Sequence, residues 1–477
     1  MEENLNEYHP IQKKPIFKRV KRTFKLASMF SYSILITQIQ ELIVMWFIGN
    51  YLGAKELEAF GISSIWVELT ATSVFIGISG AIDTLCSQAH GVENIRLQTL
   101  ILHKSLFMGF LCCIPSAITW GFSTQIFDIF GLECSEEAGE YLRYFIYAMP
   151  AKCIYEIVSH FMFTQYVLIP EFICSSTDTP LQILLNYLLV PAYGMKGAAI
   201  AGGICAWVRL GIFFISLFIM KCHKNNWSGF DFSNFFDNWG ELVKLSVSST
   251  AHIFVEWTAF EISALFAAWI NDGDVSLAAW VILLKVLLIE ETISTGFGEA
   301  AATLIGNSVT KLKISLSKQY MKISIILSAL VNGMILLALF ISRYEFGKLF
   351  FMMDEDDSSE DIVRKIGDIF PLYAIIYASD SIYLVIVGAM RALGKQPLNL
   401  VIAIGADLIV GVPSQYIFGI LIGLELGGII LGIMICYIIE IAPLFYIFAK
   451  LDWNKESQIA RLRSLEENNE KGIELLD

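Results

Sequence analysis

Seven ionisable side chains stand near the middle of long apolar stretches: Glu68, Glu256, Glu261, Lys285, Glu290, Glu291 and Asp380. An acid at the centre of a bilayer costs at least about 2.5 to 3.5 kcal/mol on insertion scales, so each needs a partner, a water-filled cavity or a proton. A carboxyl group withdrawn from water can exchange a proton near neutral pH, and when ionised it attracts a cation. Proton and cation exclude one another at the same oxygens, and that exclusion is the chemistry of exchange across a membrane. At about 100° per residue, Glu256 and Phe260 share one face of a helix while Glu261 points about 140° away. Lys285 lies as far around its own helix from Glu290, so its counter-ion must come from another helix, with Glu256 or Asp380 the natural candidates. Trp257, Phe260, Tyr377 and Tyr383 stand among these charges, and ring faces hold cations by roughly 1 to 2 kcal/mol. Glu41, Glu156, Asp407 and Glu440 read as nearer helix ends, and Lys152 with Glu156 has the i,i+4 spacing of a self-neutralising pair.

Other chemistries find little support. The nine cysteines are scattered and make no CxxC, and the six histidines make no HxxxH or HExxH, so neither a metal site nor a disulfide framework is expected. The cysteines read as packing residues, and no cofactor is implied. A net charge of -13 without a basic patch argues against nucleic acid as a partner. An enzyme such as a membrane-embedded transferase would need a nucleophile, a metal cluster or a paired acid and base beside a polar loop, and none is evident.

The elements that position the charges follow from composition. Of 477 residues, 56% are hydrophobic and 17% charged, against about a quarter charged in soluble domains. With a mean hydropathy of +0.61, the chain reads as an all-α polytopic membrane protein. Twelve spans are expected, at 26–48, 60–82, 101–124, 141–163, 168–190, 197–220, 244–269, 276–304, 320–342, 366–391, 398–421 and 427–449. Lys and Arg number 23 in the amino-terminal segment, even loops and tail but 7 in the odd loops, which places both termini in the cytoplasm. Acidic clusters such as Asp354 to Asp357 and Glu133 to Glu140 then face the other compartment. The basic amino-terminal segment runs straight into a full-length span, which reads as a signal anchor rather than a cleaved signal.

The two halves repeat. GISGAIDTLCSQA from Gly77 and GFGEAAATLIGNS from Gly296 align at an offset of 219, matching Gly77 to Gly296, Ala81 to Ala300, Thr84 to Thr303 and Leu85 to Leu304. KGAAIAGG at Lys196 likewise resembles LGGIILGI at Leu426, and Pro150 stands where Pro371 does. This divides the chain into a segment 1–25, a six-helix lobe 26–220, a linker 221–243, a second lobe 244–449 and a tail 450–477. Two lobes related by a pseudo-two-fold axis around a central cavity are the plan of rocking transporters. The tail sequence IARLRSLEENNEKGIELL reads as a short charged helix without assigned function.

In DTLCSQAHG at Asp83, NYLLV at Asn186 followed by GMKGAAIA, VEWTAFE at Val255 and GAMRALGKQ at Gly388, the chain resembles the multidrug and toxic compound extrusion (MATE) transporters, in particular the eukaryotic branch, over roughly Gly49 to Trp453. The resemblance implies expulsion of organic cations and related amphiphiles in exchange for protons or sodium, through two lobes that alternate access. It also implies that Glu256, at the glutamate of the helix-seven motif, is central to coupling and binding, and that Asp380 is the acid eleven residues before the arginine of the helix-ten motif. The chain departs from the pattern at Lys285, where some members carry an acid, and at Glu68, Thr258 and Ser294. Lys285 puts a purely cationic preference in doubt, while Glu68, Glu290 and Glu291 offer further negative charge.

The expectation is therefore a monomeric proton-coupled antiporter for a small organic cation or amphiphile, in the plasma membrane or a vacuolar or lysosomal membrane. Sodium coupling stays open. So does export of an organic anion or glycoside held by Lys285, and, further off, a lipid-linked flippase or a receptor scaffold.

Overall fold

The computed structural model describes residues 16–230, 234–270, 272–350 and 357–465. Lys13, Lys14, Lys471 and the acidic run Asp354 to Asp356, used above for orientation, lie outside them, as does the tail beyond Leu465. Each of the twelve expected spans falls on a helical run. These are α1 (Ile16–Tyr51), α2 (Ala54–Gly91), α3 (Ile95–Gly121), α4 (Ser135–Phe145 carried through a 3-10 turn into Met149–Thr164), α5 (Ile169–Tyr193) and α6 (Met195–Ile219), then α7 (Gly240–Trp269), α8 (Gly273–Val309), α9 (Ile314–Ile341), α10 (Asp357–Ala392), α11 (Gln396–Leu421) and α12 (Glu425–Lys450). The tail adds α13 (Trp453–Leu465).

Among the described residues, nine of these helices are long and apolar enough to cross a membrane by length and composition. The other three, α4, α5 and α8, carry Lys152 and Glu156, Glu171 and Asp178, and Lys285, Glu290, Glu291 and Glu299. Their shortfall is the polar chemistry itself. The helices outrun the expected spans: at 1.5 Å per residue, the 36 residues of α1 and 37 of α8 extend about 55 Å, well beyond a hydrocarbon core of about 30 Å. Consequently α1 begins within the segment expected to precede the first lobe.

Two hydrophobic cores form. One runs from Val44 to Leu217 and takes in Leu242 and Leu245 from the first turns of α7. The other runs from Phe266 to Ala460 and takes in Leu26, Ala27 and Phe30 from α1, with Phe163 and Leu168. Each half thus lends the opening of its first helix to the other core, and Leu26 and Leu245 stand at the repeat offset of 219.

The same offset governs close contacts. A Cβ at Gly77 would run into Thr250, and one at Gly296 into Ser31; Ser31 and Thr250 are themselves 219 apart. A Cβ at Gly306 would strike Ser87, and one at Gly91 would strike Thr310, so at these two points a residue packs against its own counterpart. Even the turns correspond, with Glu93 at φ 62° and Leu312 at φ 57° before α3 and α9.

Two helices widen locally. α2 makes a π-turn over Glu68–Thr72, and α11 does so over Ile404–Gly411 and again over Ile417–Leu421. A π-turn inserts extra backbone and re-aims the side chains beyond it, often at functional sites. Here the first begins at Glu68 and the second carries Asp407.

Candidate functional site

α7 sends Glu256 and, one turn later, Phe260 into a small cavity of about 20 Å³ completed by Asp407, Gln415, Cys436 and Glu440 from α11 and α12. Their shared face is the one that helical spacing predicts. Cys436 Sγ donates to Asp407 Oδ1 at 2.8 Å, and Ser263 Oγ donates to Gln415 Oε1 at 2.6 Å. Among the described residues, the second oxygen of Asp407 has no hydrogen-bond partner. One turn before Glu256, His252 Nδ1 lies 4.0 Å from the Glu256 carboxylate, and its Nε2 is 2.8 Å from the Tyr383 hydroxyl, which faces Glu440.

A second acidic group adjoins the cavity through Tyr437. Tyr437 Oη donates to Asp380 Oδ1 at 2.8 Å, and Asp380 in turn faces the fully buried Glu290. Ser294 donates to Glu290, and Asn332 Nδ2 donates to Ser294 Oγ at 2.7 Å. Two carboxyl groups can bond to one another only through a proton that one of them holds. Among the described residues, no Lys or Arg forms an ion pair with Glu256, Glu290, Asp380, Asp407 or Glu440, and the charges acting most strongly on Glu256 are those of Glu291, Asp380, Glu440 and Asp407.

The structure disperses the rest of the expected set. Tyr377 and Tyr383 are buried in the second core, Trp257 and Glu291 are half-buried, and Glu261 is exposed on another face of α7. Lys285 corrects the expectation: it acts on Glu68 and Glu261, not on Glu256 or Asp380. Five residues along α8 from Glu290, it projects about 140° away, toward the other half. Nor do Lys152 and Glu156 neutralise one another. Glu156 pairs with His160 at 3.3 Å, and Lys152 Nζ lies 4.9 Å over the Phe145 ring. Asp407 and Glu440, set aside by sequence as near helix ends, prove central to the cavity.

A contrasting cluster fills the first half, and the sequence reading missed it. Arg209 Nη2 lies 3.2 Å from Glu171 and Nη1 3.9 Å from Asp178, while the guanidinium stacks 4.3 Å over Tyr155. Ser33 and Tyr155 donate to Glu171, and Gln40 Nε2 donates to Asp178 at 3.2 Å. The same depth argument that singled out Glu256, applied to the arginine of span six, finds it.

A third constellation joins the halves. Asp83 contacts His160 at 2.9 Å and Arg391 at 3.5 Å, and Arg391 reaches Glu299 at 2.6 Å. Thr84 Oγ1 donates to the Arg391 carbonyl at 2.6 Å, Gln88 Nε2 to that of Ala392 at 2.8 Å, and Gln396 Nε2 to Thr84 Oγ1 at 2.6 Å. The DTLCSQAHG and GAMRALGKQ motifs are thus the two sides of one closure. Donor atoms of Asp83, His160 and Glu299 lie within 4.8 Å of one another, but the guanidinium of Arg391 already fills the cation position. Asp407 of α11 converges as closely with Cys436 and Glu440, which stand one turn apart on α12, and among the described residues no guanidinium pairs with them; sequence spacing hid both groups because neither lies on a single helix.

Two helical cores, buried acids within the spans and a bonded closure between the halves define a membrane transporter of the two-lobe kind. The MatE family model matches residues 30–188 and 249–417, and the chain belongs to this family of multidrug and toxic compound extrusion transporters, which are not enzymes. It is 24% identical over 425 residues to human multidrug and toxin extrusion protein 1, covering 88% of this chain and 73% of that one. It is 28% identical over 416 residues to an uncharacterised transporter of Schizosaccharomyces pombe, covering 86% and 74%. Its fold matches that of the eukaryotic MATE transporter AtDTX14 with a TM-score of 0.85, covering 94% of this chain and all of that one at 21% identity. The chain is an integral, multi-pass efflux transporter of the MATE type.

Proposed function

We propose that this transporter exports small organic cations in exchange for protons, with Glu256 as the group at which the two compete. The carrying observation is the cavity beside Glu256: half-buried Glu256 from α7 meets buried Asp407 and Glu440 from α11 and α12, and among the described residues no lysine or arginine pairs with any of them. Such a set must hold protons or a cation. When the cavity opens to the tail side, a cation displaces the proton from Glu256, with Phe260 offering a ring face. Opening to the opposite, proton-rich side protonates Glu256 and releases the cation. If one monovalent cation leaves per proton entering, the cycle is electroneutral and each pH unit contributes about 1.4 kcal/mol, or tenfold in concentration. The basic bias of the loops supports a cytoplasmic tail side. Lys285 exerts its charge on Glu68 and Glu261 rather than on the cavity acids, which does not favour an anionic substrate.

The test is efflux of ethidium from proteoliposomes under an imposed pH gradient. Wild type should accumulate it against a gradient, and Glu256→Gln should not. Full coupled transport by the variant overturns the assignment, and drive by a sodium gradient alone replaces the proton with sodium.

A further inference from the structure

We infer that α13 is a strap holding the tail side of the transporter shut, and that Arg463 is its grip, a positioning residue for the transport cycle. The inference rests on alternating access by the two halves. One end of the strap is rooted in the second half. Trp453 and Ala460 are buried in the second core, Ser457 donates to the Val309 carbonyl at the end of α8, and Glu456 pairs with Lys395 at 2.8 Å.

The last turn belongs elsewhere. Arg463 Nε lies 2.6 Å from Glu241 at the start of α7, where the following turns pack into the first core. Arg463 Nη1 donates to Gln88 Oε1 on α2 at 3.2 Å. Asn94 Nδ2, at the start of α3, donates to the Ser464 carbonyl at 3.1 Å. The guanidinium also packs over Gly394, held at φ +73°, where a Cβ would come within 2.7 Å of Nη1.

Directly inward lie the bonds from Asp83 and Thr84 to Arg391, so strap and buried closure span the same seam. Parting the halves on this side leaves the root of α13 in place and breaks the bonds of its last turn to Glu241, Gln88 and Asn94. Contacts made in one state only shift the equilibrium toward that state, and α13 therefore biases the transporter toward closure on the tail side.

Arg463→Glu should weaken the grip, as should Glu241→Arg, and the two together should restore it with the charges exchanged. In proteoliposomes of known orientation, each single variant should lower the KM for ethidium presented on the tail side by about fivefold, because apparent affinity follows the populated fraction of the competent state, and raise it on the other side. The double variant should return both values toward wild type. Hydrogen exchange of the full-length protein in detergent should rise over 84–94 and 388–396 in the single variants and fall again in the double. Folded single variants with unchanged exchange, or a double variant no nearer wild type than either single, overturn the strap. Because exchange needs no transported substrate, its outcome stands apart from whether ethidium is carried.

Discussion

Each half of this transporter buries acids beneath the membrane surface, but away from the seam, where Arg391 holds Glu299, only the first half pairs them with a guanidinium. In the first, Glu171 and Asp178 meet a single guanidinium, and Gln40, Ser33 and Tyr155 supply further donors. In the second, Glu256, Glu290, Asp380, Asp407 and Glu440 face tyrosine, serine, histidine and cysteine, and among the described residues no lysine or arginine is paired to any of them. A charge with a permanent partner is a structural element, whereas one without must change its occupant to be tolerated. The asymmetry is what supports the proposal that exchange takes place in the second half.

The largest effect should come from breaking the balanced side. Arg209→Met strands Glu171 and Asp178, and removing one member of a buried ionic cluster costs about 3–5 kcal/mol. Thermal unfolding in detergent should show a sharply lowered midpoint, partly recovered by adding Glu171→Gln. On the unbalanced side, Asp380→Asn keeps a hydrogen-bonding side chain beside Tyr437. Its melting should stay within about 1 kcal/mol of wild type while pH-driven transport falls roughly tenfold or more, a loss of at least about 1.4 kcal/mol in coupling. Equal destabilisation by the two variants would end the distinction. The smallest effect belongs to Cys436→Val, which removes the donor to Asp407 at the edge of a cavity able to admit water. A loss of about 1 kcal/mol, with transport little changed, would sharpen the view that Cys436 orients Asp407 rather than taking part in exchange.

Much of the fold was legible because bilayer crossing imposes long apolar runs, and α1 to α12 fall where those runs predict. The shared face of Glu256 and Phe260 followed from helical spacing alone. What failed was partner choice between helices. Lys285 was correctly placed away from Glu290, yet nothing local to α8 says whether that face meets Asp380 or the other half's Glu68. Asp407 was set aside by its position along α11, where a π-turn re-aims side chains in a way that 100° arithmetic does not follow. Arg209 was missed because attention to acids left a buried arginine unweighed. The offset of 219, first seen in a dozen residues, proved to extend to contacts, turns and the exchange of helix openings between cores.

The contacts of Ser87 with Gly306 and of Gly91 with Thr310 carry a consequence for ancestry. A residue touching its own counterpart is the mark of an isologous interface, the kind two identical chains make about a two-fold axis. In a homodimer of six-helix chains each such point would bring identical side chains together, two serines or two glycines. Joining the copies in one polypeptide removes that restriction. Here bulk from the first half fills a gap in the second at position 87, and bulk from the second fills a gap in the first at position 91, a complementarity no homodimer could encode.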